Sequence, residues 1–167
     1  MRLRSVLTVG ALLLAAVVLQ TTLFSQTEPF IPDVVMLVVI LLCLTRIRPE
    51  LLLGIGFISG LAVDLLGSAV LGLQAIVFTV VAYLAIRTKD RADVGRIVTG
   101  LWAGMVTLAG VVLLIVVGTL FGQTVLLGEG VVDRLFLVPL TNFILTLIVA
   151  PTFVRVIDRD STAFRYA

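Results

Sequence analysis

The residues that could do chemistry are few, and Asp64 is the first of them. It stands in "GIGFISGLAVDLLGSAVLG", residues 54–72, as the one carboxylate of an apolar, glycine-rich stretch. An acid inside an apolar run is by default a candidate proton carrier or a partner in a buried ion pair. Arg134 is the candidate counter-charge, with Asp33, Glu129 and Asp133 competing for it. The absences matter as much. There is no histidine and a single cysteine, Cys43. That excludes a zinc site of the usual kind, a Ser-His-Asp triad, a Cys-His pair and an internal disulfide. No catalytic residue, cofactor or metal is expected, and the chain reads as a non-enzyme.

The remaining motifs concern packing. Gly56, Gly60 and Asp64 are spaced four apart, which places them on one face of a helix. Gly100, Gly104 and Thr107 do the same further along, and Gly118 and Gly122 form another spaced pair. Small residues at this spacing let helix backbones approach closely inside lipid. Two uses are open: packing within the chain, or a docking face for another membrane protein. "GIGFISG" is not a dinucleotide fingerprint, because it lacks the third glycine position and no strand precedes it. Pro32-Asp33 has the form of a helix start, with Asp33 as N-cap, and Asp133 is a second candidate cap. Gly67, Ser68 and Gly72 mark a tight turn.

These residues need elements to hold them, and composition says which. The chain is 60% hydrophobic and 13% charged, where a soluble domain carries ~25% charge. Its mean hydropathy is +1.26. Lipid, not water, is its main solvent. Six apolar segments emerge, at about residues 6–24, 33–45, 50–67, 71–86, 97–121 and 133–157, near the length a spanning helix needs. The first is longer than the apolar core of a signal peptide and reads as a retained signal-anchor. The second is short for a full crossing. The third and fourth are joined only by the glycine turn. The sixth contains Pro139 and Pro151.

Charge placement orients the set. With six spans and the N-terminus inside, Arg2, Arg4, Arg46, Arg48, Arg87, Lys89, Arg91, Arg96, Arg155, Arg159 and Arg165 face the cytoplasm. These are eleven of the 12 basic residues, as the positive-inside rule requires. Only Arg134 falls outside. Asp64 lies about 21 Å along the third segment from Glu50, near the outer boundary. The expectation is that it bonds backbone N–H groups of the following turn, or pairs with Arg134. The loop "RTKDRADVGR" has no aromatic residue, so nucleic-acid binding has no support. Contact with anionic lipid headgroups is the alternative to a plain solvated loop.

The order of features resembles the rod shape-determining MreD family. The resemblance rests on "LQTTLFS" closing the first segment, "PDVVMLVVILL" opening the second, and "GFISGLAVDLLGSAVLGLQAIVFTVVAYLA" over residues 56–85. Val70 stands where the family commonly has proline, and Gln74 where it has His or Asn. The resemblance implies a multi-pass protein of the bacterial inner membrane, belonging to the cell-elongation machinery. It implies MreC, a single-span protein, as direct partner, with MreB, RodA and a penicillin-binding transpeptidase in the same assembly for lateral peptidoglycan synthesis and rod cell shape. A homo-oligomer is compatible with it. The family also looks like the six-helix substrate-binding subunits of energy-coupling-factor transporters, and that layout is the expected all-α fold. A transporter subunit is therefore the rival function. A vitamin pocket needs several converging polar and aromatic groups, whereas this chain has one Trp and two Tyr.

Overall fold

Apolar runs between glycine, proline and charged breaks fold as helices because a helix satisfies its backbone internally, which lipid demands. The computed structural model describes residues 3–23, 33–45, 47–67, 70–92, 95–123 and 130–162, and these form six α-helices. They are α1 (Leu3–Leu23), α2 (Val34–Cys43), α3 (Pro49–Leu66), α4 (Leu73–Thr88), α5 (Arg96–Leu120) and α6 (Val131–Thr162). Three stretches are long and apolar enough to cross a membrane: Pro49–Leu66, Arg96–Leu120 and Val131–Phe153. Glu28, Ser68, Glu129 and Tyr166 lie outside the described residues.

Local signals fix the ends. Pro49 opens α3 at its first turn, where its missing N–H costs nothing. Asp33 caps α2: its Oδ1 accepts the Met36 N–H at 3.0 Å. Gly72 takes φ +94° ahead of α4, a conformation that favours glycine. Gly122 takes φ +80° just past α5, where its N–H donates to the Thr119 carbonyl at 3.0 Å. Gly122 therefore ends α5 and shares no helix face with Gly118, contrary to the expected second pair. Asp133 is likewise not a cap. It lies in the first turn of α6, which starts at Val131, and there its charge complements the helix dipole.

The second segment is short, as its apolar run implies. Its helix covers ten residues rather than residues 33–45, a length of about 15 Å, half of a ~30 Å hydrocarbon core. Val35 to Cys43 are all buried, and α2 packs against all five other helices. A helix that is apolar all round belongs in the interior, so α2 forms the axis of the bundle. Lipid tails are as apolar as its side chains, so its burial is stabilised mainly by dispersion. A buried leucine makes 40–60 contacts of about 0.1–0.2 kcal/mol each. Gly110 of α5 makes room for this: a Cβ there would lie 2.8 Å from both Met36 Sδ and Val81 Cγ2.

Around that axis, α3 pairs with α4 and α5 with α6, and α4 joins the pairs by packing on α5. A short 3-10 turn, Lys89–Arg91, follows α4. It is stapled on both sides: Trp102 Nε1–H donates to Thr88 Oγ1 at 2.8 Å, and Thr99 Oγ1–H to the Ala92 carbonyl at 2.7 Å.

Candidate functional site

The densest set of sequence-derived candidates meets where α3 ends and α4 begins. Glycines at positions 56 and 60 bring the two backbones together. A Cβ on Gly56 would lie 2.9 Å from the Phe78 carbonyl oxygen. A Cβ on Gly60 would overlap the Gln74 carbonyl oxygen and lie 2.6 Å from Ala75 Cα and N. Ordinary contact for such atoms begins near 3.4 Å, so no larger residue fits. One turn on, Asp64 reaches the start of α4.

There its carboxylate closes a cap across the turn. Asp64 Oδ2 accepts the Gly72 N–H at 3.0 Å and the Ala75 N–H at 3.2 Å. The Gln74 N–H is shared between both carboxylate oxygens at 3.1 Å. Asp64 is 3% exposed, yet it is fully provided for. The first N–H groups of a helix have no intrahelical acceptor, and they carry the positive end of its dipole. A carboxylate placed there gains both hydrogen bonds and charge compensation. This is why an acid persists in so apolar a stretch.

Arg134 takes no part. It is exposed in the first turn of α6, a helix that packs on α5, α2 and α1. The expected Asp64–Arg134 pair is therefore not formed, and backbone N–H groups supply the compensation instead. Gly56, Gly60 and Asp64 are buried and covered by α4, so this face is not open to a partner.

The second glycine face meets α6. A Cβ on Gly100 would lie 3.0 Å from the Phe143 ring and 3.1 Å from Leu147 Cδ2, while Gly104 has only ordinary contacts, with the Pro139 carbonyl and Phe143. Thr107, on the same face, continues the contact as a polar one: Asn142 Nδ2–H points at Thr107 Oγ1, 3.3 Å away.

That contact belongs to a polar cluster that sequence patterns do not reveal. Val35 N–H, at the start of α2, donates to Gln20 Oε1 of α1 at 3.0 Å. The Asn142 Nδ2 also lies 3.4 Å from the Asp33 carbonyl oxygen. Thr146 Oγ1–H donates to the Asn142 carbonyl at 2.6 Å. Gln20, Asp33, Thr107 and Asn142 thus come from four segments and surround one helix end. The only sequence signal is polarity itself, Gln20 and Asn142 standing alone in long apolar runs. Among the described residues, no group of three or more His, Cys, Asp or Glu side chains could hold a metal ion.

Neither constellation sets a nucleophile beside a base. Asp64 is occupied with backbone N–H groups, and Cys43 is a buried thiol whose Sγ–H donates to the Val39 carbonyl at 3.2 Å. Both constellations tie helices of the bundle to one another. Compared with known proteins, residues 1–157 match the family model described as rod shape-determining protein MreD. No curated protein and no solved structure matches.

Proposed function

Since the chain belongs to the MreD family of rod shape-determining proteins, a family of structural rather than enzymatic membrane proteins associated with the shape-determining machinery, we propose that it is a six-span scaffold of the bacterial inner membrane. It binds MreC and supports lateral peptidoglycan synthesis, in one assembly with MreB, RodA and the penicillin-binding transpeptidase. Both termini are cytoplasmic in this reading. Its main support is the family match over residues 1–157 of the chain. The basic residues agree with it, since eleven of the 12 fall on one side of a six-span path. The free surface for a partner lies on the outward sides of the helices, where Phe57, Ile58 and Leu65 of α3 are exposed.

A transporter subunit is the second reading, and only the polar cluster at α2 favours it. The aromatic side chains a ligand pocket would use are engaged elsewhere. Trp102 bonds Thr88, and Tyr83 is exposed beside Arg87, whose Nε–H donates to its hydroxyl at 3.3 Å.

The test is co-purification of the tagged chain with its single-span partner from membranes, combined with reporter fusions at residue 88 and at the C-terminus. The expected result is a stable complex and a cytoplasmic signal from both fusions. No complex would remove the scaffold, and a periplasmic signal from either fusion would remove the topology.

A further inference from the structure

Where α4 passes into α5 the chain carries positive charge that the bundle itself does not compensate. Residues 87–96, "RTKDRADVGR", hold four bases and two acids. Arg87, Lys89 and Arg96 form no ion pair with any described residue. Arg87 closes an exposed stripe of α4. Ile76, Val80 and Tyr83 precede it at helical spacing and are exposed as it is, so one face of α4 is apolar along its length and charged at its end. The Arg87 guanidinium is posed on that face. Its Cζ stands 5.7 Å from the Tyr83 ring centroid, and its Nε–H donates to the Tyr83 hydroxyl at 3.3 Å. Its terminal NH2 groups have no acceptor among the described residues. Tyrosine favours the membrane–water interface, so the pair marks the level of the lipid headgroups.

The start of α5 continues the patch. Arg96 is exposed at its first position, and Ile97 and Leu101 are exposed beyond it. No side chain caps α5 and its first turn holds no acid. Its orphan N–H groups and the positive end of its dipole therefore add to the charge of Arg96. The bonds from Trp102 to Thr88 and from Thr99 to Ala92 hold the two helix ends together. What covers such a patch must be anionic at one end and apolar along the rest. A soluble acidic segment pairs with the arginines but leaves the stripes uncovered. A zwitterionic lipid covers the stripes but brings its own cation to the arginines. An anionic phospholipid meets both needs, because guanidinium groups pair with phosphate oxygens and bases at the membrane surface attract anionic lipid.

We propose that the α4–α5 end is a binding site for an anionic phospholipid, its phosphate held by Arg87 and Arg96 and its acyl chains lying on the exposed stripes of the two helices. The scaffold reading enters only in naming the leaflet, the cytoplasmic one.

The single tryptophan of the chain, Trp102, stands about 9 Å along α5 from Arg96 and reports which lipids gather there. The purified full chain is placed in lipid nanodiscs in which either phosphatidylglycerol or phosphatidylcholine carries brominated acyl chains, at equal mole fractions, and quenching of Trp102 fluorescence is measured. Phosphatidylglycerol should be preferred by about fivefold or more, the gain that one base gives at an anionic surface. Replacing both arginines, Arg87→Gln with Arg96→Gln, should remove the preference. Arg134→Gln, at the opposite end of the bundle, should leave it intact. Inorganic phosphate, compared with chloride at equal ionic strength, should not reduce it. If the double variant does not fold, the wild type in rising salt decides, since screening must erode the preference. Equal quenching by the two lipids in the wild type would overturn the proposal. So would a preference that survives in the double variant, resists salt, or is lost in Arg134→Gln as well, which would be net charge alone. Competition by inorganic phosphate would assign the patch to a soluble anion and overturn the lipid. No partner protein is present, so this result and that of the co-purification stand apart.

Discussion

Gly60→Ala and Gly54→Ala place the same methyl group on the same helix and should change stability in opposite directions. Gly54 faces open space, with nothing within 4 Å of an added Cβ. There the substitution removes only the conformational handicap of glycine and should stabilise α3 by up to about 1 kcal/mol. At Gly60 the same gain is present, but the Cβ would stand 2.6 Å from backbone atoms of Ala75. Backbone cannot rotate aside as a side chain can, so α3 and α4 must separate by about 1 Å to restore ordinary contact. A gap of that size forfeits a quarter to a half of the dispersion energy of the facing atoms. It also stretches the Asp64 bonds, now 3.0–3.2 Å, toward 4 Å, beyond hydrogen-bond range. Overpacking alone costs about 1–3 kcal/mol, and weakened charge-assisted bonds add a comparable amount. Less the helix gain, Gly60→Ala should lose about 2–4 kcal/mol. For a chain of this size that is roughly 4–16 °C in the unfolding midpoint. Thermal unfolding of both variants in the same nanodiscs, followed by circular dichroism, measures the difference. If Gly60→Ala melts with or above Gly54→Ala, the backbones of α3 and α4 do not meet at Gly60.

Asp64→Asn can keep an oxygen on the Gly72, Gln74 and Ala75 N–H groups, but it loses the charge and turns an NH2 group toward the Gln74 N–H, so it should destabilise by about 1–2 kcal/mol while leaving partial support of rod shape in a complementation assay. Full stability with complete loss of function would point instead to a proton carrier. Cys43 is enclosed, with its thiol on the Val39 carbonyl. It should react with a water-soluble maleimide at least about a hundredfold more slowly in the native state than after unfolding in detergent, and rapid native labelling would show that the α2 axis opens.

Much of the chain is legible in its sequence alone. All six helices begin within three residues of the apolar runs that announce them, and all but α6, which runs five residues on, end within two, because glycine, proline and charge interrupt a helix locally. The Gly56–Gly60–Asp64 face is legible for the same reason, since a helical turn converts a spacing of four into a shared side. The exclusion of a Ser-His-Asp triad and of an internal disulfide is read directly from the lack of histidine and the lone cysteine.

Tertiary structure decided what those faces meet. The sequence leaves Asp64 two partners, Arg134 or the backbone of the following turn, and the start of α4 decides for the backbone with three donors. Side-chain identity does not record where a neighbouring backbone ends. The place of the short second segment as the axis is equally hidden. In lipid every apolar face is acceptable to solvent, so hydrophobicity does not say which helix is central. The cluster at its N-terminus joins Asp33 to Asn142 across 109 positions. No periodicity reaches that far, and such a contact exists only once six helices have chosen their neighbours.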